Sequence, residues 1–362
     1  MRKMILIIIF GLVFSLPRFS VEQGTSCMSC HINPTGSGMR NDYGSNIYAL
    51  EELPLQNLVS NGDEDWDGYI NDNIQLGGEF RIQYFDGNVL NAIFPMQADI
   101  YGNIDINSQV DLYFEIPIGG SSQNSEYYMI VKEYIDNAWI KMGKSDPNYG
   151  LMVDDHTAFI KSGNRDPIDN GETDNLDKGL RKVFDPYSKP IIIETGINLS
   201  DNLVLTSSIS ESEINVSQME NFTTSLNYIN TFNNVSLMIG NSLMLEDDIE
   251  LYGLFGGLSR GPFTFMFELD KANNLLSDNT ESVASYSKIV YKPIQGLHLL
   301  AKYDYFDHNY DLLNGSLSRY SVGIELYPLN LFEVKLQLRE YKVDNLDLNF
   351  NQEYLLQLHS WF

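Results

Sequence analysis

Past its first sixteen residues the chain has no long apolar run. A bundle of transmembrane helices is therefore excluded, and the mean hydropathy of −0.21 agrees. Basic residues are scarce: 23 lysines and arginines face 49 aspartates and glutamates, for a formal net charge of −26. So acidic a chain excludes nucleic-acid phosphates as its main partner. Catalytic signatures are missing as well, with no G-x-S-x-G, no H-E-x-x-H and no phosphate-cradling glycine loop. No helical 3.6-residue periodicity stands out after residue 60. What the chain does have is a globular share of hydrophobic residues, 43%, which excludes disorder as its main state. Its 362 residues suit one large β-domain or two ordinary ones.

Residues 1–20 read as a secretory signal. Arg2 and Lys3 form a basic start, Met4 to Leu16 an apolar run, and Ser15 and Ser20 offer cleavage points. The run is short of the ~20 residues that span a bilayer, so export with cleavage is expected in place of a membrane anchor.

Only two cysteines exist, and they stand just after the signal as Cys27-Met28-Ser29-Cys30-His31. This is the C-x-x-C-H spacing of covalent c-type haem attachment. Two thiols three positions apart lie on one side of a helical turn and can add to the two haem vinyl groups. The adjacent imidazole is then held beneath the iron. A disulfide, a redox dithiol and half a zinc site compete with this reading. No thioredoxin-like βαβ pattern and no second cysteine pair support the latter two. The following run, Asn33-Pro34-Thr35-Gly36-Ser37-Gly38, predicts a loop, which lets backbone lie close against a flat cofactor.

From residue 74 onward apolar and polar residues alternate with period 2. Phe332, Val334, Leu336 and Leu338 interleave with Glu333, Lys335, Gln337 and Arg339, and 319–326 and 263–270 repeat the pattern. A soluble sandwich turns the apolar face inward; an outer-membrane barrel turns it to lipid. Export, the chain terminus and the connection lengths together favour the barrel. Tyr354, Leu356, Leu358 and Phe362 share one face of a closing strand, an apolar edge that a soluble protein would leave unprotected.

Connection lengths also alternate, as an up-and-down meander requires. Short turns are expected at 107–109, 199–202, 231–234, 259–262, 292–296 and 328–330. Long loops are expected at 85–97, 117–126, 210–221, 272–282, 306–317 and 342–350. Parity fails after Met142 and is restored by an extra strand at 156–163, with a turn at 143–155 and an outer loop at 164–189. The expected fold is all-β: an antiparallel up-and-down transmembrane barrel of about 16 strands, with 14 as runner-up, over 74–362. A short, mostly irregular haem segment, 21–73, precedes it.

Taken together, the chain resembles a family of bacterial outer-membrane proteins in which an N-terminal monohaem c-type motif precedes a porin-like barrel. The resemblance is carried by Cys27-Met28-Ser29-Cys30-His31, Asn33-Pro34-Thr35-Gly36, Met39-Arg40-Asn41, Asn148-Tyr149-Gly150-Leu151, Asp155-His156-Thr157-Ala158-Phe159 and Phe362. Ser37 stands where the family pattern usually has a third glycine. The resemblance implies haem binding and an outer-membrane location, and identifies neither a substrate nor an electron partner.

A sixth iron ligand is sought among histidines and methionines. The restored parity puts His156 at the periplasmic start of a strand, on the haem side, and makes it the first candidate; Met39 is the runner-up. Asp63, Asp65 and Asp67 with Gly68 fit the first half of a calcium loop, although Ile74 occupies its twelfth position. The expected function is one-electron transfer at the outer membrane, with the haem segment on the periplasmic side and periplasmic or extracellular cytochromes as partners. The rivals are a porin for small solutes or cations with a structural or gating haem segment, a haem-dependent enzyme, and a soluble sandwich. Polar strand faces carry ten acids, among them Glu268, Asp304 and Glu325, against five bases, among them Lys302 and Arg319. An open lumen would therefore prefer cations.

Overall fold

The computed structural model describes residues 17–55, 68–87, 91–118, 125–153, 155, 157–161, 189–212, 218–275, 279–311, 316–343 and 351–362. One short helix, α1, spans Pro17–Gln23, and a three-residue strand, β1, spans Tyr69–Asn71. The wall begins with β2 Ile74–Asp86, β3 Asn91–Asn107, β4 Val110–Pro117, β5 Glu126–Lys132 and β6 Ala138–Lys144. It continues with β7 Ile191–Ser200, β8 Leu203–Ser210, β9 Asn221–Phe232, β10 Val235–Glu246, β11 Ile249–Arg260 and β12 Phe263–Asn273. It ends with β13 Glu281–Ile294, β14 Leu297–Asp307, β15 Leu317–Leu329, β16 Phe332–Val343 and β17 Asn351–Trp361.

Each wall strand pairs antiparallel with its sequence neighbours, and β17 closes on β2 through Trp361↔Glu79 to Tyr354↔Asp86. The sixteen strands β2–β17 form a closed barrel, while β1 is a short hairpin partner of β2. The burial pattern is inside out relative to a soluble protein. On β12 Glu268 is 1% exposed while its neighbour Leu269 is 47% exposed. A pleated strand turns successive side chains to opposite faces, so the polar set lines the lumen and the apolar set faces outward. On β17 Tyr354, Leu358 and Phe362 are exposed, while Gln357, His359 and Trp361 are buried, matching the facing read from the sequence.

The first strand and the last meet at one end of the barrel, so both termini of the wall lie there. Phe362 exchanges backbone hydrogen bonds with Gly78, at 3.1 and 3.0 Å. A Cβ on Gly78 would stand 2.6 Å from the Phe362 ring. Glycine at 78 thus makes room for the terminal aromatic ring.

Sixteen is the strand number expected, but one strand differs from the expectation. Of the expected strand at 156–163, the described residues 157–161 form turns and no strand, with Ala158, Phe159 and Ile160 buried. The additional strand comes from a tight turn between β5 and β6, where Glu133 and Asn137 take φ of 52° and 61°. The run 127–142 reads as one strand because its apolar residues carry through the turn. With that turn in place, parity holds without 156–163. The expected turn at 143–155 and loop at 164–189 are parts of one connection, 145–190, which leaves and re-enters the wall at the end opposite the termini. The length rule has its own exception there: β10 and β11 are joined by only Asp247 and Asp248, with Asp247 at φ 50°.

Candidate functional site

Two pieces of chain occupy the lumen. The first, 17–55, enters at the terminal end. Helix α1 packs against β10, β11 and β12, with Val21 buried beside Gly257, where a Cβ would come 2.7 Å from the valine. Arg18 donates to Glu325 Oε2 at 2.6 Å and to the Tyr327 hydroxyl at 3.1 Å, and lies 2.7 Å from His298 Nδ1. A cut after residue 20 would remove Arg18 and leave Glu325 without this partner.

After α1 comes a single tight turn, Cys27–Ser29, closed by Cys30 N–H and His31 N–H donating to the Cys27 carbonyl, both at 3.1 Å. The chain then loops out and back: Ile32 N–H donates to Met39 O at 3.1 Å and Asn41 N–H to Cys30 O at 3.0 Å. The loop is drawn in tightly. A Cβ on Gly36 would lie 3.2 Å from both Cβ and Sγ of Cys27, and one on Gly44 would lie 2.2 Å from the Cys30 carbonyl oxygen. A wide helical segment, Tyr43–Glu52, follows and ends with an i→i−5 bond from Leu53 N–H to Tyr48 O at 3.0 Å.

Cys27, Cys30 and His31 line one cleft that is partly open to solvent. The opposing surfaces come from Arg18, Arg40, Tyr48, Tyr327 and Trp361, and from Met152 of the second lumen segment. Both cysteines are free thiols. Burial, with Cys30 adding, pushes the Cys27 thiol up to about 11, and burial also raises Cys30. Neither is a thiolate, which argues against a reactive nucleophile or a thiolate metal site. Burial and then Arg40 lower His31 to about 4, so its imidazole is neutral, the form that ligates a metal. His31 Nδ1 is buried without a hydrogen bond. A reduced cysteine pair, a neutral histidine with an orphaned nitrogen and an adjoining cleft together fit a covalent haem c. Met39 lies elsewhere: its side chain packs with Tyr101, Tyr113, Tyr128, Ile130 and Trp139, and it does not line the cleft. His156 lies outside the described residues, as do Asp63, Asp65 and Asp67. Among the described residues no group of three His, Cys, Asp or Glu is placed to hold a metal ion.

The second lumen segment, 145–161, folds in from the opposite end and is fastened to the wall. Asn148 N–H donates to Glu194 at 3.0 Å, Gly150 N–H to Ser242 at 2.9 Å and Leu151 N–H to Glu268 at 2.6 Å. Tyr149 donates to Asp270 at 3.2 Å. Asp155 pairs with Lys302, and Arg319 donates to Thr157 at 3.1 Å while stacking over Phe159 at 4.8 Å. Burial alone would raise Asp155, but Lys302, Arg339 and Arg319 hold its carboxyl well below the usual range. Gly150 takes φ +61°, and a Cβ there would sit 2.0 Å from Glu268 Oε1. The two motifs at 148–151 and 155–159 are thus the fastening points of a lumen loop. Sequence alone could not show this, because their wall partners are from 46 to 162 positions away in the chain.

No family model and no curated protein matches the chain in sequence. Solved structures do match in shape. The outer-membrane protein OmpT of Vibrio cholerae superposes with a TM-score of 0.54 at 10% identity, covering 80% of this chain and 97% of that one. The outer-membrane channel DcaP of Acinetobacter baumannii gives 0.53 at 11%, covering 80% and 97%. OprB of Pseudomonas putida gives 0.55 at 9%, covering 80% and 94%. The fold is that of a porin-type outer-membrane β-barrel.

Proposed function

We propose that the chain is a bacterial outer-membrane barrel that carries one covalent haem c in the mouth at its terminal end, facing the periplasm, and serves one-electron transfer there. The observation that carries this reading is the common cleft of two free thiols and a neutral histidine whose Nδ1 has no partner. Cys27 and Cys30 would anchor the group through thioethers, and His31 would ligate the iron. Bound haem supplies an iron that takes up and returns one electron. The chain's own residues do the rest. Trp361 and Tyr327 give the cleft an apolar wall, while Arg40 sets a cation on it, suited to the propionate groups that haem carries. Arg40 stacks over Trp361 at 5.0 Å and makes no ion pair among the described residues.

Mass spectrometry of periplasmically matured protein tests the reading: the peptide containing 27–30 is expected to carry one haem. An unmodified peptide or a 27–30 disulfide would sink it. The second reading is a solute channel, favoured by the fold shared with DcaP, whose own description is that of a channel. Against it stands the filling of the lumen by 17–55 and 145–161, where Tyr149, Leu151, Val153 and Phe159 are buried.

A further inference from the structure

Met152 lines the cleft that holds Cys27, Cys30 and His31, yet it belongs to the loop entering from the opposite end of the barrel. The local backbone accounts for this. Val153 N–H donates to Leu151 O at 2.6 Å, a three-residue turn centred on Met152. The flanking Leu151 and Val153 are 2% and 0% exposed within the core, whereas Met152 is half-buried at the cleft. The turn is held on both sides, by Leu151 N–H on Glu268 and by Asp155 on Lys302.

Resting on the haem reading above, we infer that Met152 is the sixth ligand of the iron, its thioether sulfur complementing His31. The nitrogen donors His359 and Lys335 on the cleft have carboxylates beside them. His359 lies 3.0 Å from Glu333 by Nδ1 and 2.8 Å from Glu79 by Nε2. Lys335 sits 3.6 Å from Glu333 and 3.8 Å from Glu325. Cys27 and Cys30 are consumed by attachment. Met39 is buried against the wall away from the cleft. The Met152 thioether is a soft donor that needs no hydrogen bond and suits haem iron. A further consequence concerns distance. One haem at a periplasmic mouth is far from the outer surface of a ~30 Å core. Ligation by Met152 would tie the iron covalently to a loop rooted at the opposite end.

The test uses full-length, haem-loaded protein. The ferric wild type is expected to be low-spin with the near-infrared sulfur-to-iron charge-transfer band. Met152→Leu, which keeps the volume, loses that band and lowers the reduction potential, while Met39→Leu changes neither. Met152→His restores a low-spin spectrum without the band. A wild type that lacks the band, a band that survives Met152→Leu, or a low-spin state abolished by His156→Ala instead would overturn the assignment. Absence of haem on the 27–30 peptide is a separate result that removes the haem reading itself.

Discussion

Ser37 shows how a single side chain records the shape of the haem loop. Gly36, Ser37 and Gly38 take φ of 92°, 67° and 62° in succession. Glycine bears a positive φ without penalty; an L-residue with a Cβ does not. Ser37 is exposed, so nothing packed around it offsets that cost. Ser37→Gly is therefore expected to stabilise the folded protein by about 1 kcal/mol, read as a small rise in Tm. A lower Tm would mean that the serine hydroxyl has a role the geometry does not reveal. Gly38 tolerates no such exchange, since a Cβ there would lie 2.3 Å from the Tyr113 hydroxyl. The glycine-rich run signalled a loop. That its middle position also needs a left-handed backbone could be seen only once the neighbours on both sides were placed.

The element whose role was least visible beforehand is the lumen loop. Its sequence suggested a turn and a strand, because parity demanded one. The structure instead lays 145–161 across the interior, fixed by polar groups that alternate along β7, β8, β10, β12, β14 and β15. Its docking should depend on pH through Asp146, whose Oδ1 is buried without a hydrogen bond. Burial pushes this carboxyl from 3.8 up to about 6, Lys189 opposing and Glu126 adding. A raised folded pKa means that the protonated form suits the folded state. The contribution is complete below about pH 3.8 and is lost as pH rises through about 6. Asp155 has the opposite sign, and its contribution is lost only in stronger acid, below its unfolded value. Protection against hydrogen exchange at 145–153, taken relative to the intrinsic rate at each pH, is expected to fall between about pH 4 and pH 6 in the wild type and to stay flat in Asp146→Asn. Equal pH dependence in both would remove Asp146 as the cause.

At the scale of the whole molecule, the question is whether anything passes through. The lumen wall is lined by polar side chains, as the alternation foretold, but many of them are committed to each other or to the plug. Arg319 pairs with Asp304 at 2.9 Å, Lys141 with Glu194 at 2.9 Å, and Lys189 with Glu126 at 2.6 Å. Part of the acidic charge that would select cations in an open pore is here paired with neighbouring cations. Planar-bilayer recordings of the full-length protein should accordingly show little conductance beside that of an open porin. A large cation-selective current would restore the channel reading, and an anion-selective one would contradict the facing of the strands.

Much of this architecture is written in the sequence because its determinants are local. Period-2 alternation sets which side chains share a face, and an apolar closing strand at 351–361 calls for an antiparallel partner, which β2 supplies. The C-x-x-C-H spacing sits within one turn, so Cys27, Cys30 and His31 could be grouped without knowing the fold. What only the tertiary structure decided are contacts between positions far apart in the chain: Arg18 on Glu325, 307 residues away, and Leu151 on Glu268, 117 away. A closed barrel brings such residues together through register around its circumference, and register is set by every hairpin at once. The five-residue turn at 133–137, which the apolar run 127–142 conceals, decides whether parity needs a wall strand at 156–163.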